Sequence, residues 1–231
     1  DLCREYLEDM EQVVQIYDDS INPYGIYKEV EQYMHSVGTA HFKKGTDDAG
    51  KSKEYFDYYE PGELDPLVIV IIDHYSLLNS EKGMNLRETM VKCSRDGRTL
   101  RNRYGIVYLD VHQQANDTDK KVFDYRGDAI IAKVQPTLAG LADCKDVQRD
   151  INIGLGLFAP DKYEIEEYRG YNIKMLQDNY RCLSILKNRD GSANVHTGLF
   201  FDGATGVFKE LPKPTDMDGM NKVYKKISTL T

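Results

Sequence analysis

The chain has 231 residues, 41% of them hydrophobic, and sets 30 basic against 38 acidic side chains for a formal net charge of −8. This is enough to bury a sizeable core in one α/β domain or a domain with an extended arm, and the acidic balance argues against wholesale electrostatic attachment to nucleic acid or an anionic membrane, leaving local basic loops for such contacts. Cys3, Cys93, Cys144 and Cys182 form no C-x-x-C pair, so neither a zinc site nor a disulfide framework is expected. No apolar run reaches the roughly 18 residues of a bilayer span and no leader pattern opens the chain, so the expectation is a reducing cytoplasm without membrane contact.

Leu2, Tyr6, Met10, Val13, Val14 and Tyr17 recur at spacings of three and four, which predicts an amphipathic helix as the body of an N-terminal arm over residues 1–19. Asn22 then stands where an N-cap would, with Pro23 at the first helical position, and Gly38 closes the helix that spans residues 24–37. A short strand is expected over residues 39–42, and residues 43–64, polar and tyrosine-rich, read as an irregular excursion. In this stretch Tyr55, Tyr58 and Tyr59 suit a protein contact better than base stacking. Gly45 to Ser52 satisfies the phosphate-loop pattern G-x-x-x-x-G-K-[ST], but Lys43-Lys44 precede it in place of a buried strand. Asp47 and Asp48 would repel a phosphate, so a surface loop is expected.

Leu67 to Ile72 is an unbroken apolar run ending in Asp73, the pattern of a buried central strand in a parallel sheet. Ligands of open α/β sheets bind beyond the carboxyl ends of the strands, which puts Asp73 at a site; the alternative is an acid that caps the next turn. A helix over residues 80–103, its exit at Gly105 and a second strand over residues 106–111 complete a βαβ unit. Residues 115–135 form a long polar loop holding Lys120, Lys121, Arg126 and Lys133, and a third strand follows over residues 151–158. Residues 182–187 and 195–201, joined through Asn188-Arg189-Asp190-Gly191, read as a β-hairpin, and residues 212–231, with Pro212 and Pro214, as a loose C-terminal tail. The five histidines have no metal-ligand spacing.

Four segments in order resemble the RecA-like motor domain of DnaB-type replicative hexameric DNA helicases, especially phage-type versions. Val68-Ile-Val-Ile-Ile-Asp73-His-Tyr-Ser-Leu-Leu78 is similar to that family's Walker B strand. Leu100-Arg-Asn-Arg-Tyr-Gly105 with Tyr108-Leu-Asp-Val-His-Gln-Gln-Ala115 resembles its helix and strand ending in a polar sensor. Gln135-Pro-Thr-Leu138 with Asp146-Val-Gln-Arg-Asp-Ile-Asn152 looks like the segment before its next strand. Ser184-Ile-Leu-Lys-Asn-Arg-Asp-Gly191 with Thr197-Gly-Leu-Phe-Phe-Asp202 resembles its hairpin bearing Lys-x-Arg.

The resemblance implies an α/β, RecA-like fold, a central mostly parallel sheet flanked by helices with a C-terminal β-hairpin, as a partial ATPase domain over residues 20–211. It implies ATP and Mg²⁺ as cofactors. Asp73 would hold Mg²⁺ through water, Gln113 or its neighbour Gln114 would sense the γ-phosphate, and Lys187 and Arg189, two apart on one strand face, would reach a neighbouring protomer's nucleotide. Lys82, Arg87, Lys120, Lys121, Arg126 and Lys133 would track single-stranded DNA, or serve as ordinary solubilising charge. The implied partners are further copies in a hexamer and a primase or helicase loader, in a bacterial cell or phage-infected host. Two departures stand out: His112 replaces the usual sensor serine, and the family's phosphate loop and catalytic glutamate lie upstream of anything present. The chain alone is therefore expected not to hydrolyse ATP, and a non-catalytic RecA-like interaction module is the competing expectation.

Overall fold

A computed structural model of the chain describes residues 2–19, 21–63, 66–113, 131–140 and 146–228. The chain divides into two units, Asp1–His112 and Gln113–Thr231.

In the first unit, helix α1 (Leu2–Val13) forms where the three-four spacing predicts it. Helix α2 (Pro23–Val37) starts at Asn22, whose side chain accepts a hydrogen bond from the Gly25 N–H at 2.8 Å, with Pro23 contributing a φ already suited to the first turn. The chain then enters strand β1 (Gly38–Thr46), which pairs antiparallel with β2 (Ser52–Pro61). Residues 43–61, expected as an irregular excursion, are thus largely a two-stranded ribbon. Cross-strand rings stabilise it: His41 stacks on Tyr58 at 4.3 Å and Phe42 meets Phe56 edge-on at 6.1 Å. At its tip the Asp47 carboxylate accepts the N–H groups of Ala49 and Lys51 at 3.0 and 2.9 Å. The G-x-x-x-x-G-K-[ST] match is therefore a strand-to-strand turn already filled by a carboxylate, not a strand-to-helix phosphate cradle.

Strand β3 (Ile69–Ile72) pairs parallel with β4 (Val107–Asp110), and helix α3 (Leu86–Tyr104) makes the crossover, so the predicted βαβ unit is present. A capping box opens α3: the Asn85 side chain accepts from the Glu88 N–H at 3.0 Å while Glu88 accepts from the Asn85 N–H at 2.9 Å. Gly105, at φ 71°, closes it in the left-handed region. Val30 and Met34 of α2, Leu100 and Tyr104 of α3 and Ile106 form the core, with Val70, Tyr108, Phe56 and Tyr59 packed against it.

The expectation of a fully buried central strand is corrected here. A strand sends alternate side chains to opposite faces, and the core covers one of them. On the other, Ile69 and Ile71 remain 53% and 61% exposed and Val107 and Leu109 44% each.

The second unit is built on a four-stranded antiparallel sheet in the order β10–β9–β8–β5, formed by β5 (Ile153–Phe158), β8 (Tyr180–Asn188), β9 (Val195–Asp202) and β10 (Val207–Glu210). The fold is accordingly mixed α/β, but the expected mostly parallel central sheet is replaced, among the described residues, by one parallel pair and otherwise antiparallel pairings. Two apolar strands joined through a helix signal parallel pairing; β5 has no such crossover to β8 and pairs antiparallel with it.

Short helices α4 (Ile131–Val134) and α5 (Val147–Asp150) precede β5. A small hairpin, β6 (Glu167–Tyr168) with β7 (Tyr171–Asn172), and helix α6 (Ile173–Leu176) precede β8. Phe158, Tyr168, Tyr171, Ile173, Leu176, Tyr180, Cys182 and Phe200 form the core. Helix α7 (Met217–Ile227) adds Met220 and Ile227 to it, so the expected loose tail is largely a docked helix, capped by Asp216 accepting from the Gly219 N–H at 2.9 Å.

Candidate functional site

In the first unit the carboxyl ends of β3 and β4 lie side by side. Ile72 pairs with Asp110, the Val111 N–H donates to the Ile72 carbonyl at 3.0 Å, and the Tyr75 N–H donates to the Val111 carbonyl at 3.2 Å. Asp73 follows directly, exposed, and its peptide bond to His74 is cis. The βαβ topology thus sets Asp73 beyond the strand end, where an open α/β sheet offers its ligand crevice. Gln113, exposed and the first residue of the second unit, follows in sequence two residues after the last β4-to-β3 hydrogen bond. Lys82 and Arg87 are exposed between β3 and the first turn of α3.

Behind Asp73 lies a polar cluster that the sequence reading did not single out. Tyr75 is fully buried, with its ring 4.5 Å from that of His112. Burial pushes the Asp110 carboxyl up to about 6, with the nearby Tyr75 hydroxyl drawing it partway back down. Tyr75 Oη, Asp110 Oδ1 and His112 Nε2 are nevertheless buried without a hydrogen-bond partner in ordinary geometry. Burial, then His74, lowers the His112 pKa; burial raises the phenols of Tyr75 and Tyr108 and pushes the Cys93 thiol up to about 11. Cys93 Sγ lies 3.3 Å from Tyr108 Oη. The signal available in sequence was an acid inside an apolar strand, Leu109-Asp110-Val111. Among the described residues no three His, Cys, Asp or Glu side chains converge as a metal site. A divalent ion beside Asp73 would have to complete its shell with water and ligand oxygens, as Mg²⁺ commonly does.

In the second unit Lys187 and Arg189 do share a face. Lys187 Nζ donates to the Gln148 carbonyl and Arg189 Nη2 to the Arg149 carbonyl, both on α5. The Arg189 N–H also donates to the Asn152 carbonyl at 3.1 Å. Burial, then the neighbouring Arg189 charge, lowers the Lys187 pKa, with Asp150 opposing the shift. The hairpin that carries them differs from the predicted tight Asp-Gly turn. Its last paired residues are Ile185 and Val195, so the connection spans residues 186–194. β8 runs on past them because β5 pairs it through a bulge as far as Ile153 with Asn188. Lys133 is exposed in α4, while Lys120, Lys121, Arg126 and Gln114 lie outside the described residues.

Compared with known proteins, the chain matches neither a family model nor a curated sequence. A likeness emerges from the solved structures. The fold resembles a DnaB-like replicative helicase. That helicase, described together with its interactions with primase, aligns over 86% of this chain at 20% identity with a TM-score of 0.58. This chain spans 38% of its length. No helix among the described residues is long and apolar enough to cross a membrane.

Proposed function

We propose that this chain is the C-terminal part of the ATP-driven, RecA-like motor domain of a phage-type replicative DNA helicase, which in complete form couples hydrolysis to DNA unwinding in a hexameric ring in the cytoplasm of a bacterium or phage-infected host. The observation that carries the reading is the fold likeness to a DnaB-like replicative helicase across most of this chain. The acid ending a βαβ strand and the Lys-x-Arg hairpin, in the order that the resemblance requires, give it a chemical content.

In this reading a bound ATP with Mg²⁺ supplies the transferable phosphoryl group, and the side chains supply positioning and charge neutralisation. Asp73 orients the water shell of the ion, and Gln113 or Gln114 hydrogen-bonds the γ-phosphate. Lys187 and Arg189 leave the α5 carbonyls to meet a neighbouring protomer's phosphates, exchanging neutral acceptors for charged ones and thereby gaining stronger hydrogen bonds. Lys82, Arg87, Lys120, Lys121, Arg126 and Lys133 follow single-stranded DNA through its phosphates, which makes binding salt-sensitive. A primase or a loader is the further partner. The uncovered apolar face of β3 and β4 supports the view that this is part of a domain: parallel sheets are covered on both faces, and a strand, phosphate loop and helix from the remainder of the protein fit that requirement. The chain alone then lacks ATPase activity.

One observation favours a second reading, a non-catalytic interaction module: Lys187 and Arg189 already have acceptors on their own backbone. The two separate in the full-length protein. Arg189→Ala is expected to lower DNA-stimulated ATP turnover by about 10³-fold or more with nucleotide affinity nearly unchanged; unaltered turnover would assign the hairpin to the second reading.

A further inference from the structure

On one face of the second unit's sheet the packed interior gives way to a more polar row. Gly156, Ser184 and His196 are cross-strand partners on β5, β8 and β9 and therefore lie in one row on one face. The next row along that face is Phe158, Cys182 and Gly198, which belongs to the packed interior. Pro136 sits over Gly156 so closely that a Cβ there would meet its Cβ at 2.6 Å. Beside this contact a recess of about 380 Å³ opens over Ser184 and His196, lined by residues 135–138 and by Tyr168 and Arg169. Its size falls at the small end of ligand sites, roughly 300–1,000 Å³.

The wall is held by a relay of hydrogen bonds. Tyr168 Oη donates to Gln135 Oε1 at 3.0 Å and accepts from Arg169 Nε at 3.3 Å, while Arg169 Nη1 donates to His196 Nδ1 at 3.0 Å. Arg169 occupies a left-handed position, φ 51°, in the two-residue turn with Gly170 between β6 and β7, and its guanidinium lies 5.4 Å from the Tyr168 ring centre. Because an arginine only donates, His196 accepts at Nδ1 and carries its proton on Nε2. In a chain with a net charge of −8, the lining includes Arg169 and His196 and no Asp or Glu, and Pro136, Leu138, Leu186 and Val195 make it partly apolar.

We propose that this recess binds a phosphate group carried on a partly apolar body, a single nucleotide unit in size, with Arg169, His196 Nε2–H and Ser184 Oγ toward the phosphate. The unit can be a free nucleoside monophosphate or one link of a single strand, which share this chemistry. The site lies entirely within the second unit and stands whether or not the motor reading does.

The test is amide shift mapping by NMR on the 231-residue chain with thymidine 5′-monophosphate, inorganic phosphate, thymidine, and an oligothymidylate without terminal phosphates. The expected result is a Kd of about 1 mM or tighter for the monophosphate, with shifts at Asn194, Val195 and Leu138. Phosphate alone and thymidine alone should each bind at least about tenfold more weakly, since each keeps half of the contacts. Arg169→Gln should weaken binding by about tenfold or more, and His196→Gln, an exposed strand position that tolerates change, should weaken it measurably even if the arginine variant fails to fold. Equal dependence of the oligonucleotide on Arg169 assigns the site to a strand, and its failure to bind assigns the site to free nucleotides. No binding by any probe, shifts elsewhere on the chain, or affinity untouched by both substitutions overturns the proposal.

Discussion

Burying a carboxylate costs several kcal/mol unless it is neutralised or fully hydrogen-bonded, and Asp110 is held with Oδ1 unpartnered beside the equally unpartnered Tyr75 hydroxyl. The folded chain therefore keeps the proton to about pH 6, whereas the unfolded chain releases it near the ordinary value of about 3.9. Below that ordinary value both states are protonated and Asp110 carries its full favourable contribution relative to the ionised form. As pH rises through about 6 that contribution, of the order of 3 kcal/mol, is lost. Asp110→Asn keeps the shape and cannot ionise. Its stability relative to the parent chain, from urea unfolding midpoints, is expected to improve by about 1–3 kcal/mol between about pH 4.5 and pH 7.5. Parallel pH profiles for the two proteins would mean that the carboxyl is not held as described. Asp73, by contrast, was legible in sequence because it ends an apolar run. Asp110 was not, since an acid within a strand reads as the solvent side of the pleat, and here it shares the inner face with Tyr108.

Elements were legible where the signal was local. Asn22 with Pro23, Gly105, and the βαβ spacing each correspond to a cap, an exit or a crossover that the residues specify by themselves. They failed where a partner strand decides. Lysines, glycines and acids mask the alternation of β1 and β2, whose pairing rests on rings such as Phe42, Tyr58 and Phe56 meeting across the ribbon. The length of β8 past Ile185 is set by β5 rather than by its hairpin turn, and prolines and glycines near α7 outweighed its apolar stripe. Gly97 in the interior of α3 shows partner control at a single contact. A helix interior prefers alanine to glycine by about 1 kcal/mol, yet a Cβ at this position would lie 2.5 Å from the Tyr108 ring of β4. Gly97→Ala is therefore expected to destabilise the chain by a net ~1–2 kcal/mol, because crowding a packed ring costs more than the propensity gained. Chemical denaturation decides it, and a raised midpoint would show that α3 and β4 pack less tightly than this.

Across the molecule, the outer face of the parallel pair is the feature on which the proposed partial-motor reading can be tested. Ile69, Ile71, Val107 and Leu109 alternate with core residues and are about half exposed, whereas parallel strands ordinarily carry helices on both faces. If a strand and helix from the rest of the protein cover this face, the cost of a charge there depends on whether they are present. In the 231-residue chain, Ile71→Lys places an ammonium in water and should change stability by no more than about 0.5 kcal/mol, as surface substitutions do. In the longer protein that the motor reading requires, the same lysine would be buried unpaired, at a cost of about 2 kcal/mol or more. Unfolding both pairs side by side measures the difference directly. A large difference places a covering segment on the β3–β4 face and supports the partial-motor reading, while equal, small effects in both lengths would leave that face open to solvent or to another chain and remove this support.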